Sequence, residues 1–413
     1  MGSGREPVTW NAFLYDTMTG QLAQPVDVPS FSWSMTISDC SFSTTRGKGV
    51  GEDETSGLEL PWSGIPGGTP QERASMLMAG KRGISLFWRT EGDGPESPGT
   101  PVLAGALGVR KSTRLDVSVP VESMLSLLSS RYLVREGRFG QGADHTSPGG
   151  YAWSGLSLRG IASEVGWACT MGKPGGALPI DWTYRGEPGD HERTAWRDWN
   201  VANQSCADIL DKLSNVQNGP DMQLRPYLSD PGHLRFRFLA GSDSDPFLGQ
   251  DAIHALSSHP LGGTLEELTV TRAAPVQRVY ATGAGQDEAT LTHLAENLEL
   301  CQRRDPWPLM ESTWSDTDTD NPQVLAAHAQ ATLQANSKPL MQLSGWFDAN
   351  DTGPDGRPLH PLGSMWPGEL VDLAVDGFPD LPDGVYRLRI MRMSGDETGK
   401  VSLLFDICED PIS

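Results

Sequence analysis

The stretch Met365–Ile407, MWPGELVDLAVDGFPDLPDGVYRLRIMRMSGDETGKVSLLFDI, has the clearest local pattern in the chain. Apolar and polar residues alternate in it, and a Pro-Gly pair and an Asp-Gly pair mark turns. The pattern predicts three strands joined by two tight turns. Arg387 and Arg389 stand two apart in one of these strands, so they share a face. That face could bind DNA, bind a protein partner or simply meet solvent.

The composition around this stretch indicates a β-rich protein. Of 413 residues, 47 are glycine and 31 are proline, which favours many turns and short strands over a helical bundle. The length predicts two or three domains. Thirteen tryptophans against seven tyrosines indicate wide apolar contacts in cores or at subunit interfaces.

The charge balance argues against a protein that grips nucleic acid. The chain has 53 acidic and 32 basic residues, a formal net charge of −21. Such a chain repels polyphosphate overall. It could still surround DNA without binding it tightly.

The cysteines and the first residues indicate synthesis in a reducing cytoplasm. The cysteines are scattered, without a CxxC pair, which predicts reduced buried thiols and neither a disulfide framework nor a zinc site. They are Cys40, Cys169, Cys206, Cys301 and Cys408. The start, MGSGREPVTW, predicts no signal peptide and no myristoylation. No run of 18 apolar residues occurs, so no membrane segment is expected.

The first predicted block, 1–145, is a β-domain with one helix. Phe31, Trp33, Met35 and Ile37 alternate with serine and threonine, which predicts a half-buried strand over 30–38. Further segments complete the block: strands at 84–89, 101–110 and 113–119, and a helix at 121–132.

The second predicted block, 146–250, is a small α+β module. The Gly/Ser/Pro-rich residues 140–150 predict a linker before it. Its predicted helices are 156–170 and 205–216, and its predicted strands are 178–184, 222–227 and 233–239.

The third predicted block, 251–413, again places strands around one helix. It has strands at 266–271, 275–282 and 340–348, a helix at 321–336 with a proline in its first turn, and then the terminal strands. The predicted fold class is therefore α+β and β-rich.

No catalytic or cofactor-binding residue is predicted, because no known catalytic spacing occurs. The chain lacks HExxH, GxSxG and a P-loop. Asp190-His191-Glu192 and the pair His254 and His259 are interpreted as polar loop residues. Gly283-Ala-Gly285 lacks the third glycine of a dinucleotide fingerprint and is interpreted as a turn.

The sharpest acidic cluster is Asp316, Asp318 and Asp320. Alternating acids can bind calcium, but an EF-hand loop needs glycine at position six and glutamate at position twelve. Asn321 and Ala327 occupy those positions. Capping of the following helix is the favoured hypothesis, a structural calcium site stays open, and no metal site is predicted.

Two arginine-bearing strands allow a nucleic-acid hypothesis. Arg235 and Arg237 alternate with apolar residues in HLRFRF, as Arg387 and Arg389 do in the terminal stretch. A basic, aromatic-backed groove is one possibility. A solvated sheet face whose arginines pair with acids such as Asp372 is favoured by the net charge, and a protein interface is the third possibility.

The order of these features resembles the minor tail proteins of siphoviruses that infect actinobacteria, which are similar to the baseplate hub or tail-associated protein family. The most specific pieces are PGELVDL…LPDGVYRLR at the end, NGPDMQLRP after the second helix, and the ATGAG turn. The resemblance covers roughly residues 8–407.

The resemblance implies a fold and a set of partners. It implies two tube-like β-barrel or sandwich domains, each with a helix, plus an α+β insertion. It implies a homotrimeric structural hub, not an enzyme, at the distal end of the virion tail. Implied partners are the distal tail protein ring, the tape-measure protein, and tail fibre or other minor tail proteins, with genomic DNA passing through during ejection.

Three alternatives stay open. One is a six-copy distal tail ring protein. Another is a tail-associated cell-wall hydrolase, although the chain ends at Ser413 without the hydrolase or receptor-binding extension that many such hubs carry. The third is a carbohydrate-binding module built on tryptophan-rich loops such as Trp196-Arg-Asp-Trp199.

Overall fold

The computed structural model confirms a β-rich α+β protein, 42% strand and 17% helix. It describes residues 9–43, 57–90, 92–94, 97–137, 139–140, 145–147, 149–216, 218–249, 253–317 and 319–409. Among these residues, no helix is both long enough and apolar enough to cross a bilayer.

Short strands dominate the described part of the chain. The strands are β1 Thr9–Asp16, β2 Leu22–Pro25, β3 Ser32–Thr36, β4 Cys40–Ser43, β5 Leu58–Pro61, β6 Arg82–Arg89, β7 Thr100–Leu107, β8 Lys111–Ser112, β9 Asp116–Val119, β10 Val121–Ser123, β11 Gly150–Leu156, β12 Ile180–Asp181, β13 His191–Arg197, β14 Met222–Asp230, β15 His233–Ala240, β16 Ile253–His259, β17 Gly262–Gly263, β18 Glu266–Ala273, β19 Arg278–Thr282, β20 Thr292–Glu296, β21 Glu311–Ser315, β22 Leu340–Asp348, β23 Leu370–Val375, β24 Gly384–Asp396 and β25 Lys400–Glu409.

The α-helices are short and are separated by strands. They are α1 Pro70–Met76, α2 Met124–Ser129, α3 Leu158–Cys169, α4 Cys206–Ser214 and α5 Pro322–Asn336.

The chain divides into two compact units. Unit 1 comprises 1–254, 346–371 and 389–403, and unit 2 comprises 255–345, 372–388 and 404–413. The predicted three-block division at 145 and 250 stays a prediction.

Unit 1 contains a five-stranded sheet in the order β10-β7-β6-β1-β2. β6 runs antiparallel to β1, with Ile84 opposite Leu14, and both side chains are fully buried. β3 pairs with β4 and with β24, where Met35 lies opposite Met393. Trp33 and Met35 are buried, so the alternation in the sequence marks the inward face of this strand.

Helices α3 and α4 pack into the core of unit 1. Leu158, Ile161 and Val165 form the buried stripe of α3, at the spacing of one helical face. Each such burial contributes about 2 kcal/mol. Ser157 and Ser205 cap the two helices by accepting hydrogen bonds from backbone amides in the first turn, which fixes where each helix begins.

The strand residues of unit 2 belong to two sheets. The larger sheet, of which only parts of β16, β22, β23, β24 and β25 belong to this unit, has the order β17-β16-β23-β24-β25-β22-β18, and the smaller sheet has the order β20-β19-β21. Helix α5 buries Leu325, Ala329 and Leu333 against Val279 and Ala281 of the small sheet.

Several predicted elements are wrong in part. The helix predicted at 121–132 is strand β10 followed by the short helix α2, because Val121 pairs with Leu107 of β7. The strand predicted at 178–184 shortens to β12. His191 and Glu192 lie in β13, and His254 and His259 lie in β16, where loops had been expected.

Candidate functional site

Two of the sequence pieces that carry the resemblance meet in unit 1. Gln223 of NGPDMQLRP donates a hydrogen bond from Nε2 to the carbonyl oxygen of Pro367 at 3.3 Å. Arg225 donates from Nη1 to Oε1 of Glu369, in the terminal PGEL sequence, at 2.6 Å. We call the set Gln223, Arg225, His254, Trp366 and Glu369 the Glu369 joint. It connects β14 to a segment 144 residues further along the chain.

The backbone around Glu369 explains how its side chain is directed inward. Gly368 has a positive φ of 94°, which favours glycine, and its amide donates to the carbonyl of Ile390 at 2.6 Å. Ile390 in turn donates to the carbonyl of Glu369 at 2.9 Å. Gly249 packs so closely that a Cβ there would lie 2.4 Å from the Cα of Glu369. The backbone turn at Gly368 therefore sets the position of Glu369.

The Glu369 carboxylate is buried but satisfied. Its Oε2 lies 2.8 Å from Nε2 of His254 and accepts from the Trp366 amide at 3.1 Å. Burial by itself would raise the pKa of Glu369, but the His254 hydrogen bond and the Arg225 charge outweigh it and hold that pKa below its usual value. Glu369 is therefore ionised, and it acts as a fixed anion between two basic side chains.

Arg225 is the matching buried cation of the joint. Its side chain is 19% exposed and its guanidinium lies 5.2 Å from the centre of the Trp366 ring. Burial lowers the pKa of Arg225, and the neighbouring Glu369 carboxylate opposes that shift. The Trp366 ring lies on one side of the guanidinium and the Glu369 carboxylate on the other, so these two neighbours hold the Arg225 side chain in place.

The terminal arginines are each paired with an acid of the same chain. Arg389 donates from Nη1 to Oδ2 of Asp221 at 2.7 Å, and its guanidinium lies 4.3 Å from the centre of the Phe247 ring. Arg387 makes two hydrogen bonds to Asp372, at 2.9 and 3.1 Å. Arg387 therefore pairs with Asp372, the acid named in the hypothesis of a paired sheet face, whereas the partner of Arg389 is Asp221, which lies outside the terminal strands.

The other arginine-bearing strand, β15, is arranged in the same way. Arg235 and the hydroxyl of Tyr227 both hydrogen-bond to the carboxylate of Asp181. Burial would raise the pKa of Asp181, but these two hydrogen bonds hold it below its usual value. Arg237 lies over the Tyr227 ring at 4.9 Å. These contacts support the hypothesis of a paired sheet face over that of a basic groove.

The remaining histidine candidates are not brought together. His191 lies 3.4 Å from Asp243, and His259 accepts a hydrogen bond at Nδ1 from the amide of Leu261. In the described ranges, no group of three or more His, Cys, Asp or Glu side chains could hold a metal ion.

Among the described residues before α5, the cap is an asparagine and not an acid. The N-cap residue is Asn321, whose Oδ1 accepts from the Gln323 amide at 2.9 Å, so the prediction of acidic capping is wrong. Asp316 instead accepts from the Thr319 hydroxyl at 2.7 Å. Asp318 lies outside the described residues. Asn321 occupies the N-cap position because it directly precedes the first helical residue, Pro322.

The glycine pair in ATGAG forms a turn, as expected. β19 ends at Thr282, and the chain returns antiparallel as β20. Gly285 has a φ of 126°, and a Cβ at Gly283 would lie 2.6 Å from the Thr319 carbonyl oxygen. The close approach of backbone at this turn explains both glycines.

The Trp196–Trp199 segment does not form an aromatic platform. Trp196 packs edge-on against Trp153, with ring centres 5.6 Å apart, whereas Trp199 is 71% exposed. Between them, Asp198 is fully buried and accepts from the Arg135 amide at 3.2 Å and the Ser147 hydroxyl at 3.2 Å. The segment therefore anchors a loop in unit 1.

A cleft of about 630 Å³ lies beside the joint in unit 1. Acidic residues in its lining are Asp39, Glu122, Asp211 and Asp221. Asp221 accepts a hydrogen bond from Arg389, and the backbone amide of Asp39 donates to the Thr36 hydroxyl. Among the described residues, this lining contains carboxylates and no histidine, lysine or arginine.

The residues missed by the sequence analysis are those of the joint itself. The local pattern predicts a loop at His254 and indicates no separate role for Arg225 or Glu369 within the NGPDMQLRP and PGELVDL pieces. A signal was present, because each is an ionisable residue inside or beside an apolar strand pattern.

The chain aligns nearly end to end with solved tail proteins. The tail protein from Neisseria meningitidis MC58 is 11% identical, with 96% of each chain covered and a TM-score of 0.44. The 43 kDa tail protein of prophage MuSo2 from Shewanella oneidensis is 11% identical, with 97% of this chain and 98% of that chain covered and a TM-score of 0.47. Prophage tail protein gp18 from Listeria monocytogenes EGD-e is 9% identical, with 95% and 94% covered and a TM-score of 0.39.

The chain is similar in fold to these tail proteins, which confirms the predicted resemblance to phage tail proteins. No family profile matches the sequence, and no curated protein sequence matches it either.

Proposed function

We propose that this chain is a structural protein of a bacteriophage tail tip, a hub that forms a homotrimeric ring. In this proposal the ring joins the tail tube and the distal tail protein ring to the tip and lines the channel for DNA ejection. The tape-measure protein and tail fibre or other minor tail proteins are the remaining partners. The protein is made in the host cytoplasm and resides at the distal end of the virion tail.

The observation that carries the proposal is the Glu369 joint. Two of the three pieces of sequence that resemble tail hubs, NGPDMQLRP and the PGEL part of the terminal piece, meet at this joint. These two pieces are 144 residues apart in the chain, and a buried ion pair and a backbone turn hold them together. Residues in this role keep two distant segments of the chain fixed to each other, and a virion structural protein needs such fixed connections.

The distribution of charge supports passage of DNA without tight binding. Three of the four arginines singled out in the sequence, Arg235, Arg387 and Arg389, hold carboxylates of the same chain. A guanidinium engaged in this way adds little to the counterion release that drives phosphate binding. With a net charge of −21, the protein surface would repel a DNA strand from any wall that it forms.

Light scattering on the full-length protein, alone and mixed with the distal tail and tape-measure proteins of the same phage, tests the proposal. We expect a trimer that binds at least one of these partners. A stable monomer with no affinity for either would overturn it.

A zymogram on host cell wall tests the hydrolase alternative. We expect no lysis band, and the E122Q variant provides a matched control because Glu122 lines the acidic cleft. A band that the wild type gives and E122Q lacks would assign an enzymatic role.

A further inference from the structure

Two arginines lie directly opposite each other in the β14–β15 pair of unit 1. Arg225 of β14 is the register partner of Arg237 of β15, so both side chains project from the same face of the sheet. Like charges that face each other across two antiparallel strands destabilise the pairing of those strands. Each guanidinium at this position therefore calls for a counter-charge.

One of the two guanidinium groups has a carboxylate partner. Arg225 donates from Nη1 to Oε1 of Glu369 at 2.6 Å and from Nε to Oε1 of Gln223 at 2.5 Å. Arg237 is exposed and lies over the Tyr227 ring. Within the part of the chain that the structure describes, the guanidinium of Arg237 makes no hydrogen bond to a carboxylate.

The acid that stands next to Arg237 in the sheet is engaged elsewhere. Asp181 of β12 is the register partner of Arg237 on its other side. The Asp181 carboxylate instead accepts hydrogen bonds from Arg235 and from the Tyr227 hydroxyl. Two carboxylates, Asp181 and Glu369, thus serve three arginines on this part of unit 1, and the charge of Arg237 is the one left without a hydrogen-bonded anion.

A cavity of about 370 Å³ lies against the arginine pair. This volume falls within the range of small-ligand sites. Arg225 and Arg237 both line the cavity, and none of the described residues in the lining is acidic. Its apolar and aromatic walls are Pro101, Pro226, Tyr227, Leu228, Leu239 and Trp366.

The polar groups of the two aromatic walls are already satisfied. Trp366 donates from Nε1 to the carbonyl oxygen of Gly363 at 3.1 Å, and the Tyr227 hydroxyl donates to Asp181. The two rings therefore offer a ligand apolar surface. The charged donors that remain are the guanidinium of Arg237 and Nη2 of Arg225, which has no hydrogen bond to any described residue.

We propose that this cavity binds one carboxylate group carried on an apolar or aromatic body. The carboxylate lies between Arg237 and Nη2 of Arg225, and the apolar body packs against Trp366 and Tyr227. A carboxylate brings the single negative charge that Arg237 lacks, whereas a phosphate monoester brings up to two. The inference goes beyond the proposed tail function and does not depend on it. Two sources supply this chemistry, a free small acid and an acidic side chain of a partner protein, and the test separates them.

Isothermal titration calorimetry of the full-length protein with phenylacetate tests the proposal. Phenylacetamide, which has the same ring and no charge, is the matched control ligand. We expect saturable binding of phenylacetate at one site per chain, and binding of phenylacetamide weaker by about tenfold or more. A blocked leucyl-glutamate dipeptide, whose only carboxylate is its side chain, is the second probe. Tighter binding of the dipeptide would assign the site to a partner's side chain, and tighter binding of phenylacetate would assign it to a free acid.

Variants of Arg237 separate binding from folding. R237M should abolish phenylacetate binding and leave the thermal midpoint of the ligand-free protein at or above that of the wild type, because it removes the pair of like charges. R237K, which keeps the charge, should restore binding at least in part. R114M is the matched control, since Arg114 is exposed and lies outside the cavity lining, and it should bind as the wild type does.

Four results would overturn the proposal. One is the absence of saturable binding for both carboxylate probes. The second is equal affinity for phenylacetate and phenylacetamide, which would indicate an apolar cavity without charge recognition. The third is equal binding of phenylacetate by R237M and the wild type. The fourth is displacement of phenylacetate by an equal concentration of inorganic phosphate.

Discussion

Replacement of Glu369 by glutamine removes the anion at the centre of the Glu369 joint. Arg225, whose side chain is only 19% exposed, would then be a buried cation facing a neutral amide. Loss of one partner of such a pair costs about 3 kcal/mol, because the remaining charge is left without compensation. The amide keeps the volume of the carboxylate, so no cavity contributes to the loss.

Urea unfolding followed by tryptophan fluorescence measures this cost, since Trp366 of the joint contacts both Arg225 and Glu369. D372N is the matched control, because the pair of Asp372 with Arg387 has side chains that are 30% and 61% exposed. We expect the D372N midpoint to equal that of the wild type within measurement error. In a double-mutant cycle, R225M and E369Q should couple by about 1 to 3 kcal/mol.

Equal unfolding midpoints for E369Q and D372N would refute the reasoning. Additive effects of R225M and E369Q would refute it as well, because two residues that form one buried pair cannot be lost independently.

Three further predictions concern pH, backbone and the terminal strand. The pKa of Glu369 is lower in the folded protein than its usual 4.5. The ionised Glu369 carboxylate therefore stabilises the fold above pH 4.5, and this stabilisation is lost as the pH falls through the folded pKa. Acid titration of E369Q should accordingly show a shallower loss of stability than that of the wild type. G20A should lower the free energy of thermal unfolding by about 2 to 4 kcal/mol, because a Cβ at this position would lie 1.9 Å from a backbone oxygen. G80A is the control, since Gly80 has a similar φ but open space around it, and it should cost about 1 kcal/mol. Equal losses for the two variants would contradict this reasoning. R389E should lower stability by about 3 kcal/mol by repelling Asp221, and R387E should change it little in the same urea assay; the reverse order would contradict the burial assigned to the two side chains.

Elements with strong local signals were predicted closely from the sequence. The strand at 340–348 has the predicted bounds, and the helix predicted at 321–336 begins one residue later, after its Asn321 cap. In both cases the alternation, the cap and the proline lie within the segment itself.

Elements fixed by pairing were not predictable in this way. Val121–Ser123 has helix-compatible residues, yet it joins the edge of the five-stranded sheet through β7. β16 has weak alternation, so its histidines were assigned to a loop. In both cases tertiary hydrogen bonding overrides local preference.

The joint could be predicted only in part. The motif pieces were recognised as specific, but Arg225 and Glu369 are 144 residues apart, and no local pattern states which distant partner an ionisable residue will meet. The shared face of Arg387 and Arg389 followed from strand periodicity alone. Their two acidic partners, Asp372 and Asp221, required the fold.

The copy number of this chain in isolated tails, measured by quantitative mass spectrometry against a labelled standard, tests the proposed hub most directly. The account predicts three copies per tail. Six copies would favour the distal ring alternative, and absence of the chain from purified tails would contradict the proposed structural role.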